Sequence, residues 1–340
     1  MAATQGREIH LREYPIGVPT PHHFEIVTVP VPDPGPGECL VRNVWMSVDP
    51  YMRGRMRAGP NFVPGFDLGK PLEGACIGQV IASNNGPFAV GDYLLAEKGW
   101  REYWLTSGDV GTKIDPSLAP VEAYLGPLGM PGMTAYVGLL RIGLIQPGET
   151  VYISGAAGAV GSVACQIAKL KGCRVIASAG SDEKVAWLKE EAGVDHAFNY
   201  RKVSNLNDEL RTSCPQGINV YFDNVGGEQL DAALRNMAMF GRVVACGMIS
   251  LYNAESPPPG PPSIFRVVTA RLRIEGFIVF DHEDMRPAFL ADMSKWLRGG
   301  QIRSKQTVYD GLENAPKAFL GLFKGENFGK MLVRLAPASA

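Results

Sequence analysis

The spacing of apolar positions along the chain changes near residue 149. Before that point apolar residues come in short runs close to period two. Residues 38–48 read Glu-Cys-Leu-Val-Arg-Asn-Val-Trp-Met-Ser-Val after the turn cluster Pro32-Asp-Pro-Gly-Pro-Gly37, and similar runs follow at 74–82 and 93–96, each bounded by Gly, Pro, Asn or Asp. Alternation of this kind gives a strand one apolar face, so the runs predict a small barrel or sandwich. After residue 149 longer elements alternate. Residues 150–154 read as an apolar strand, Gly155-Ala-Ala-Gly158-Ala-Val-Gly161 turns the chain, and Val160, Val163, Ala164, Ile167 and Leu170 line one face of a helix. A second buried strand is expected at 174–178. Strand-like runs at 218–223, 242–246 and 274–280 then alternate with helical patterns at 182–192, 228–239 and 284–297, the order of a parallel, doubly wound sheet. A helix at 315–323 and a strand at 330–335 are expected to return to the first part.

Composition supports this division. The 340 residues predict about two domains. Residues 1–120 hold 14 of the 26 prolines and none falls between Pro147 and Pro215. Proline removes a ladder donor and breaks helix interiors, so a turn-rich β domain precedes an α/β domain. The reading places the β-rich substrate domain at 1–120 with 300–340, and the nucleotide domain at 121–299. Lys plus Arg (33) against Asp plus Glu (34) leaves a net charge of −1, which argues against nucleic acid or an anionic membrane as partner. Six cysteines at least eight residues apart, after an N-terminus without an apolar leader segment, predict free thiols and a cytoplasmic location. Segments 123–140 and 150–168 carry no charge. The first holds Pro127, Pro131 and four glycines, however, and the second switches from strand to glycine turn to helix, so neither reads as a membrane span. Ser256-Pro-Pro-Pro-Gly-Pro-Pro262 reads as a stiff loop.

The strand, glycine turn and helix around Gly158 carry a dinucleotide logic. Gly158 allows backbone to approach a pyrophosphate, Gly161 lets helix and strand pack closely, and free amides at the helix start donate to the anion. Ala156 stands where the first glycine of G-x-G-x-x-G is expected. At the end of the second strand Ser178-Ala-Gly-Ser181 lacks the acid that would bond a ribose 2′-hydroxyl. Ser181 is a candidate helix cap, and Ser181 and Lys184 can both receive a 2′-phosphate, which favours NADP; Asp182 or Glu183 could instead mimic the missing acid. Tyr200 and Arg201 could close the same pocket. No C-x-x-C or H-E-x-x-H is present, and no histidine has a cysteine beside it, so no metal site is expected. The absence of Gly-x-Ser-x-Gly argues against a serine hydrolase.

Taken together, Ser47-Val-Asp-Pro-Tyr-Met-Arg53, Met130-Pro-Gly-Met-Thr-Ala-Tyr136, the glycine turn, Ala179-Gly-Ser-Asp-Glu-Lys184, Tyr221-Phe-Asp-Asn-Val-Gly-Gly227, Cys246-Gly-Met-Ile-Ser-Leu-Tyr-Asn253 and Lys324-Gly-Glu-Asn-Phe-Gly-Lys330 resemble the zinc-independent medium-chain dehydrogenase/reductases. Within them the chain is most similar to the prostaglandin reductase, alkenal (alkenone) double-bond reductase and curcumin reductase branch. The resemblance implies a GroES-like β-rich domain beside a Rossmann domain, NADPH as cofactor, a homodimer and reduction of the double bond conjugated to a ketone or aldehyde. The residues it implies at the cofactor are Gly158, Ala159, Val160 and Gly161 on the pyrophosphate and Lys184 and Tyr200 at the 2′-phosphate. Asn224 and Asn327 would lie near the nicotinamide half, with Cys246, Gly247, Ile249, Tyr252, Phe277, Ile278 and Val279 along the same groove.

Reduction at the β-carbon leaves negative charge on the carbonyl oxygen, so a donor is needed there. Tyr252 is the candidate, either giving a proton or orienting groups; otherwise it packs under the proline loop. Tyr51 either contacts substrate or packs at a domain interface. Met130 and Met133 either line the mouth or belong to the core. Phe66, within 62–68, is a candidate lid residue, and residues 257–262 a candidate wall beside Tyr252. Pairing through strand 273–280 is the expected dimer contact. A quinone reductase of the same superfamily and a non-enzymatic nucleotide-binding protein are the alternatives.

Overall fold

A computed structural model of the chain describes residues 4–59, 63–256 and 258–336. It divides into two compact units: one holds the chain up to Leu125, Gln306–Asn327 and the segment from Met331; the other holds Gly126–Lys305 and Phe328–Lys330.

The first unit is β-rich. Its strands β1 (Gln5–Leu11) and β2 (Phe24–Pro30) pair antiparallel. β3 (Glu38–Ser47), β4 (Cys76–Asn84), β5 (Tyr93–Ala96), β6 (Tyr103–Thr106) and β7 (Thr112–Ile114) belong to a separate seven-stranded sheet. The run expected at 74–82 is shifted to Cys76–Asn84, because Gly74 stands outside the ladder in an isolated bridge to Lys98. A short helix, α1 (Met52–Arg55), follows Tyr51. The core gathers Ile9, Leu11, Val41, Met46, Trp100 and Phe319, all fully buried. Phe66 belongs to it at 3% exposure: the Arg55 guanidinium lies 4.1 Å over its ring and Tyr14 Oη donates to its carbonyl at 2.9 Å. It is therefore a core residue and not a lid residue, because cation–π stacking and burial hold it inside. Phe62, also in that segment, lies outside the described residues.

The second unit opens on α2 (Met130–Val137) and then builds six parallel strands in the order β10-β9-β8-β11-β12-β13. These are β8 (Thr150–Ile153), β9 (Arg174–Ala179), β10 (His196–Asn199), β11 (Ile218–Asp223), β12 (Met237–Ala245) and β13 (Arg273–Gly276). The connecting helices include α3 (Ala159–Leu170), α4 (Asp182–Glu190), α5 (Leu206–Ser213), α6 (Gly227–Asn236), α7 (Arg266–Thr269) and α8 (Arg286–Arg298). β8 and β11 are neighbours from which the order runs outward both ways, so their C-terminal ends flank the crossover where open α/β sheets bind ligands. The fold class expected from the sequence, a β-rich domain with a doubly wound Rossmann domain, is the one observed.

The largest differences from the expected boundaries lie around β12 and β13. The helix expected at 228–239 ends at Asn236, and Met237 already starts β12, whose register against β11 shifts between Ile218 and Val220. Phe240 at φ 60°, with the Arg271 guanidinium 4.9 Å over its ring, marks that irregularity. β13 stops at Gly276, and residues 279–285 form a 3₁₀ turn before α8. After α8 the chain returns to the first unit as β14 (Gln306–Asp310), α9 (Ala315–Lys324) and β15 (Lys330–Arg334); β15 pairs with β3, and Leu332 faces Ser47. No helix among the described residues is long and apolar enough to cross a membrane.

Candidate dinucleotide and active site

β8 delivers the chain into Gly155 at φ 57°, a left-handed conformation that favours glycine. The tight-turn role thus falls on Gly155, one position before Ala156, whose own N–H is bonded to the Ser178 carbonyl at 3.0 Å. Gly158 caps α3 in extended conformation, so Ala159, Val160 and Gly161 hold the first helical amides, which have no acceptor within the helix. A β-carbon on Gly161 would stand 2.4 Å from the Gly155 carbonyl oxygen and 2.8 Å from Ala156 Cα. Both are backbone atoms that cannot yield, so helix and turn touch only because position 161 is glycine. From the other side Gly329 donates to the Ala157 carbonyl at 2.8 Å and bridges to Gly158. Amides, positive helix end and bare backbone make a cradle that fits a pyrophosphate.

At the end of β9, Ser181 caps α4 by accepting the Lys184 N–H, as its position predicted. The Tyr200 hydroxyl and Arg201 Nε lie 3.2 and 3.4 Å from where a β-carbon on Gly180 would stand, and the Arg201 guanidinium lies 5.8 Å over the Tyr200 ring. Lys184 is half-buried, and its pKa is lowered by burial and then by the neighbouring Arg201. A lysine whose charge is disfavoured by a neighbouring guanidinium suits a doubly charged phosphate between the two. The acid that could have played the NAD-type role is engaged elsewhere: Asp182 accepts from Asn199 Nδ2 at 2.8 Å and from Lys202 Nζ, contacts that hold its carboxyl below the usual range.

At the ends of β11 and β12 the surroundings are half-buried, above the buried Asp223 and Ser154, and their contacts are mostly backbone. Asn224 donates its side-chain amide to the Ser154 carbonyl at 2.8 Å, which ties β8 to β11. The N–H groups of Cys246 and Gly247 both reach the Asp223 carbonyl at 3.0 Å, while Ile249 and Ser250 donate to the carbonyls of Asn224 and Val225. The Cys246 thiol is pushed up to about 12 by burial and by Asp223. Tyr252 ends this loop; its hydroxyl accepts the Met248 N–H at 3.3 Å and lies 3.0 Å from where a β-carbon on Gly247 would be. Burial raises its pKa. Phe277 and Ile278 are half-buried, with Phe277 packed toward Gly138 and the His282 ring, and Val279 is buried at 7% exposure. Pro257 lies outside the described residues; of the rest of that loop, Ser263 follows with its N–H on Asp231 at 2.7 Å.

Met130 is the half-buried first residue of α2, and its carbonyl accepts from Thr134 Oγ1 at 2.8 Å. Met133 is fully buried, so it packs the core and does not line a mouth. In the first unit Asn327 is half-buried after α9. Tyr51 is half-buried against the core, with its pKa raised well above the ordinary value by burial and by Glu97 and Asp49. Glu97 is itself pushed up to about 7, first by burial and then by Asp49.

Sequence reasoning missed Lys202 and Asp223. Asp223 had a signal, since it closes the otherwise apolar run Val220-Tyr-Phe222, as Ser154 closes that of β8. Lys202 had none, because its partner is brought near by the pairing of β9 with β10. Among the described residues no three His, Cys, Asp or Glu side chains gather as a metal site.

Family models match at residues 7–114, an N-terminal domain of oxidoreductase, and at 159–295, described as zinc-binding dehydrogenase. Prostaglandin reductase 1 of Bos taurus is 42% identical over 95% of this chain and 97% of its own. The NADP(+)-dependent 2-alkenal reductase of Nicotiana tabacum is 41% identical over 97% of both. The crystal structure of CurA from Vibrio vulnificus in complex with NADPH superposes with a TM-score of 0.91 at 40% identity, covering 97% of this chain and 99% of that one. With the glycine turn, the strand order and this end-to-end likeness, the chain belongs to the medium-chain dehydrogenase/reductase family, in the branch that holds the prostaglandin, 2-alkenal and curcumin reductases.

Proposed function

We propose that this protein is an NADPH-dependent oxidoreductase that reduces the carbon–carbon double bond of α,β-unsaturated ketones and aldehydes. The observation that carries the reading is the cationic cluster of Lys184 and Arg201 with Tyr200 over Gly180, at a strand end that spends its nearest acid on Lys202. In a chain of this branch, that cluster selects the phosphorylated dinucleotide. The cradle of Gly158, Ala159, Val160 and Gly161 would hold the pyrophosphate. Asn224, Asn327 and the backbone of Cys246, Gly247 and Ile249 would bound the nicotinamide half, beside Phe277, Ile278 and Val279. Bound NADPH supplies the hydride that reduces the β-carbon of the substrate.

The protein's own task is to hold the carbonyl oxygen as charge gathers there before a proton reaches the α-carbon. Tyr252 is assigned to it. Burial keeps its phenol protonated at neutral pH, so it is a donor, and one aimed donor of this kind is worth ~3–4 kcal/mol in the transition state. Tyr51 and Met130 are assigned to substrate contact. The first unit serves as substrate domain and the second as nucleotide domain. No metal takes part, the protein works in the cytoplasm, and a second copy pairs along β13, the last strand of its sheet, beside exposed Ile274 and Phe280.

The test is NADPH consumption across alkenals, small alkenones and diaryl dienones, with quinones alongside. Turnover of the enones to saturated carbonyls is expected. Rapid turnover of quinones with no consumption on any enone would overturn the reading in favour of a quinone reductase.

A further inference from the structure

Asp223 is the buried titratable group that this reaction leaves unused. It stands at the C-terminal end of β11, at the crossover of the sheet, and is fully buried. Its Oδ1 is crowded: it accepts from Tyr221 Oη at 2.7 Å, Gly226 N at 2.8 Å, Val225 N at 2.9 Å and Ser154 Oγ at 3.2 Å. Its Oδ2 is buried with no hydrogen-bond partner among the described residues.

The titratable groups that face it are Tyr221 on its own strand, Tyr152 on β8, Cys246 after β12 and Tyr252 on the loop beyond. Among the described residues no cation forms an ion pair with Asp223, and none is among the groups that shift it. An ionised carboxylate here would bury a charge with one oxygen unpaired and no counter-ion, which costs several kcal/mol, whereas a proton on Oδ2 leaves only a neutral O–H without a partner. Burial accordingly raises the pKa of Asp223 against the pull of its four donors.

The same residue anchors the loop that carries Tyr252. Oδ1 fixes the turn at residues 223–226, the Asp223 carbonyl receives Cys246 and Gly247, and the next two carbonyls receive Ile249 and Ser250, the latter also through Oγ at 2.6 Å. We propose that Asp223 is a positioning residue which, as an uncharged carboxylic acid, locks the loop at residues 246–252 and so places the Tyr252 hydroxyl. The role assigned to Tyr252 is the part of this proposal that rests on the reductase reading; the lock itself does not.

Two readouts separate them. Amide hydrogen exchange at residues 246–250, corrected for intrinsic rates, should speed up about tenfold or more in Asp223→Ala and less than about threefold in Asp223→Asn, which keeps an uncharged acceptor. On an enone, kcat of Asp223→Ala should fall about 10- to 100-fold with the Kd for NADPH changed less than about threefold, while Asp223→Asn stays near wild type at neutral pH. The alkaline fall of kcat in the wild type should be weaker in Asp223→Asn. Equal exchange in both variants, or in neither, overturns the proposal, as does an Asn variant with the wild-type alkaline fall. If Asp223→Ala does not fold, the Asn variant's pH profile decides. Protection in the Asn variant with no enone turnover by any form would sink the reductase reading and leave the lock standing.

Discussion

The two ends of the proposed dinucleotide site in the second unit are built from different materials. At the end of β9 the groups are side chains at or near the surface: Lys184 is half-buried, Tyr200 is 37% exposed, and Arg201 is exposed. At the ends of β11 and β12 the groups are main-chain amides and carbonyls, with Asp223 and Ser154 fully buried beneath them. Discrimination between cofactors needs charge within reach of a phosphate and tolerates motion of long side chains. Chemistry at the reacting end needs atoms held to a fraction of an ångström, which a hydrogen-bonded backbone supplies and a flexible lysine does not.

The difference implies that changes at the buried end alter turnover and changes at the exposed end alter cofactor preference. Tyr252→Phe should have the largest effect, a fall in kcat of about 10- to 1000-fold with the KM for NADPH nearly unchanged. Steady-state kinetics on one enone settle it, and undiminished kcat would return Tyr252 to packing. Lys184→Ala should raise the KM for NADPH about tenfold or more and leave that for NADH almost unchanged. Because burial and Arg201 lower its pKa, Lys184 loses its charge at a lower pH than an ordinary lysine. The wild-type KM for NADPH should therefore climb early on the alkaline side while that for NADH stays flat; parallel profiles would refute a phosphate role. The smallest effect belongs to Lys202→Met. Releasing Asp182 from its cation leaves an uncompensated negative charge near the phosphate position, so the KM for NADPH should rise about two- to fivefold and that for NADH should not. An unchanged ratio would mean that Asn199 alone restrains the carboxylate.

Much of the second unit could be read from the sequence because its signals are local. The strand, turn and helix from Thr150 to Leu170 carry their own periodicity, and Ser181 capping Lys184 lies within one helical turn. What escaped depends on partners distant in sequence. β7 is three residues long, and β1 and β2 carry charged residues that dilute their alternation, so neither length nor pattern marked them. Phe66, a candidate lid residue by its place in a glycine- and proline-rich stretch, is instead held in the core by Arg55 over its ring and by the Tyr14 hydroxyl on its carbonyl, contacts that no local pattern marks. The helix expected to reach residue 239 lost its last turn to β12, since pairing of Met237 with Ile218 outweighs local helical pattern. The orphaned oxygen of Asp223 exists only in three dimensions, because all four donors crowd onto its other oxygen.

One contact bears on how the protein is made. Gly329 closes the outer side of the glycine turn by bonding Ala157, Phe328 meets the Trp187 ring at 5.6 Å, and Lys330 bonds the Lys305 carbonyl at 3.0 Å. These three residues follow Lys305 by a detour of more than twenty positions through the other unit. A ribosome that has released everything through Lys305 has therefore released a sheet whose glycine turn still lacks its bond from Gly329. At about 5–20 residues per second the missing segment emerges one to several seconds later. A fragment ending at Lys305 should therefore fold as a sheet yet bind NADPH more weakly than the full chain.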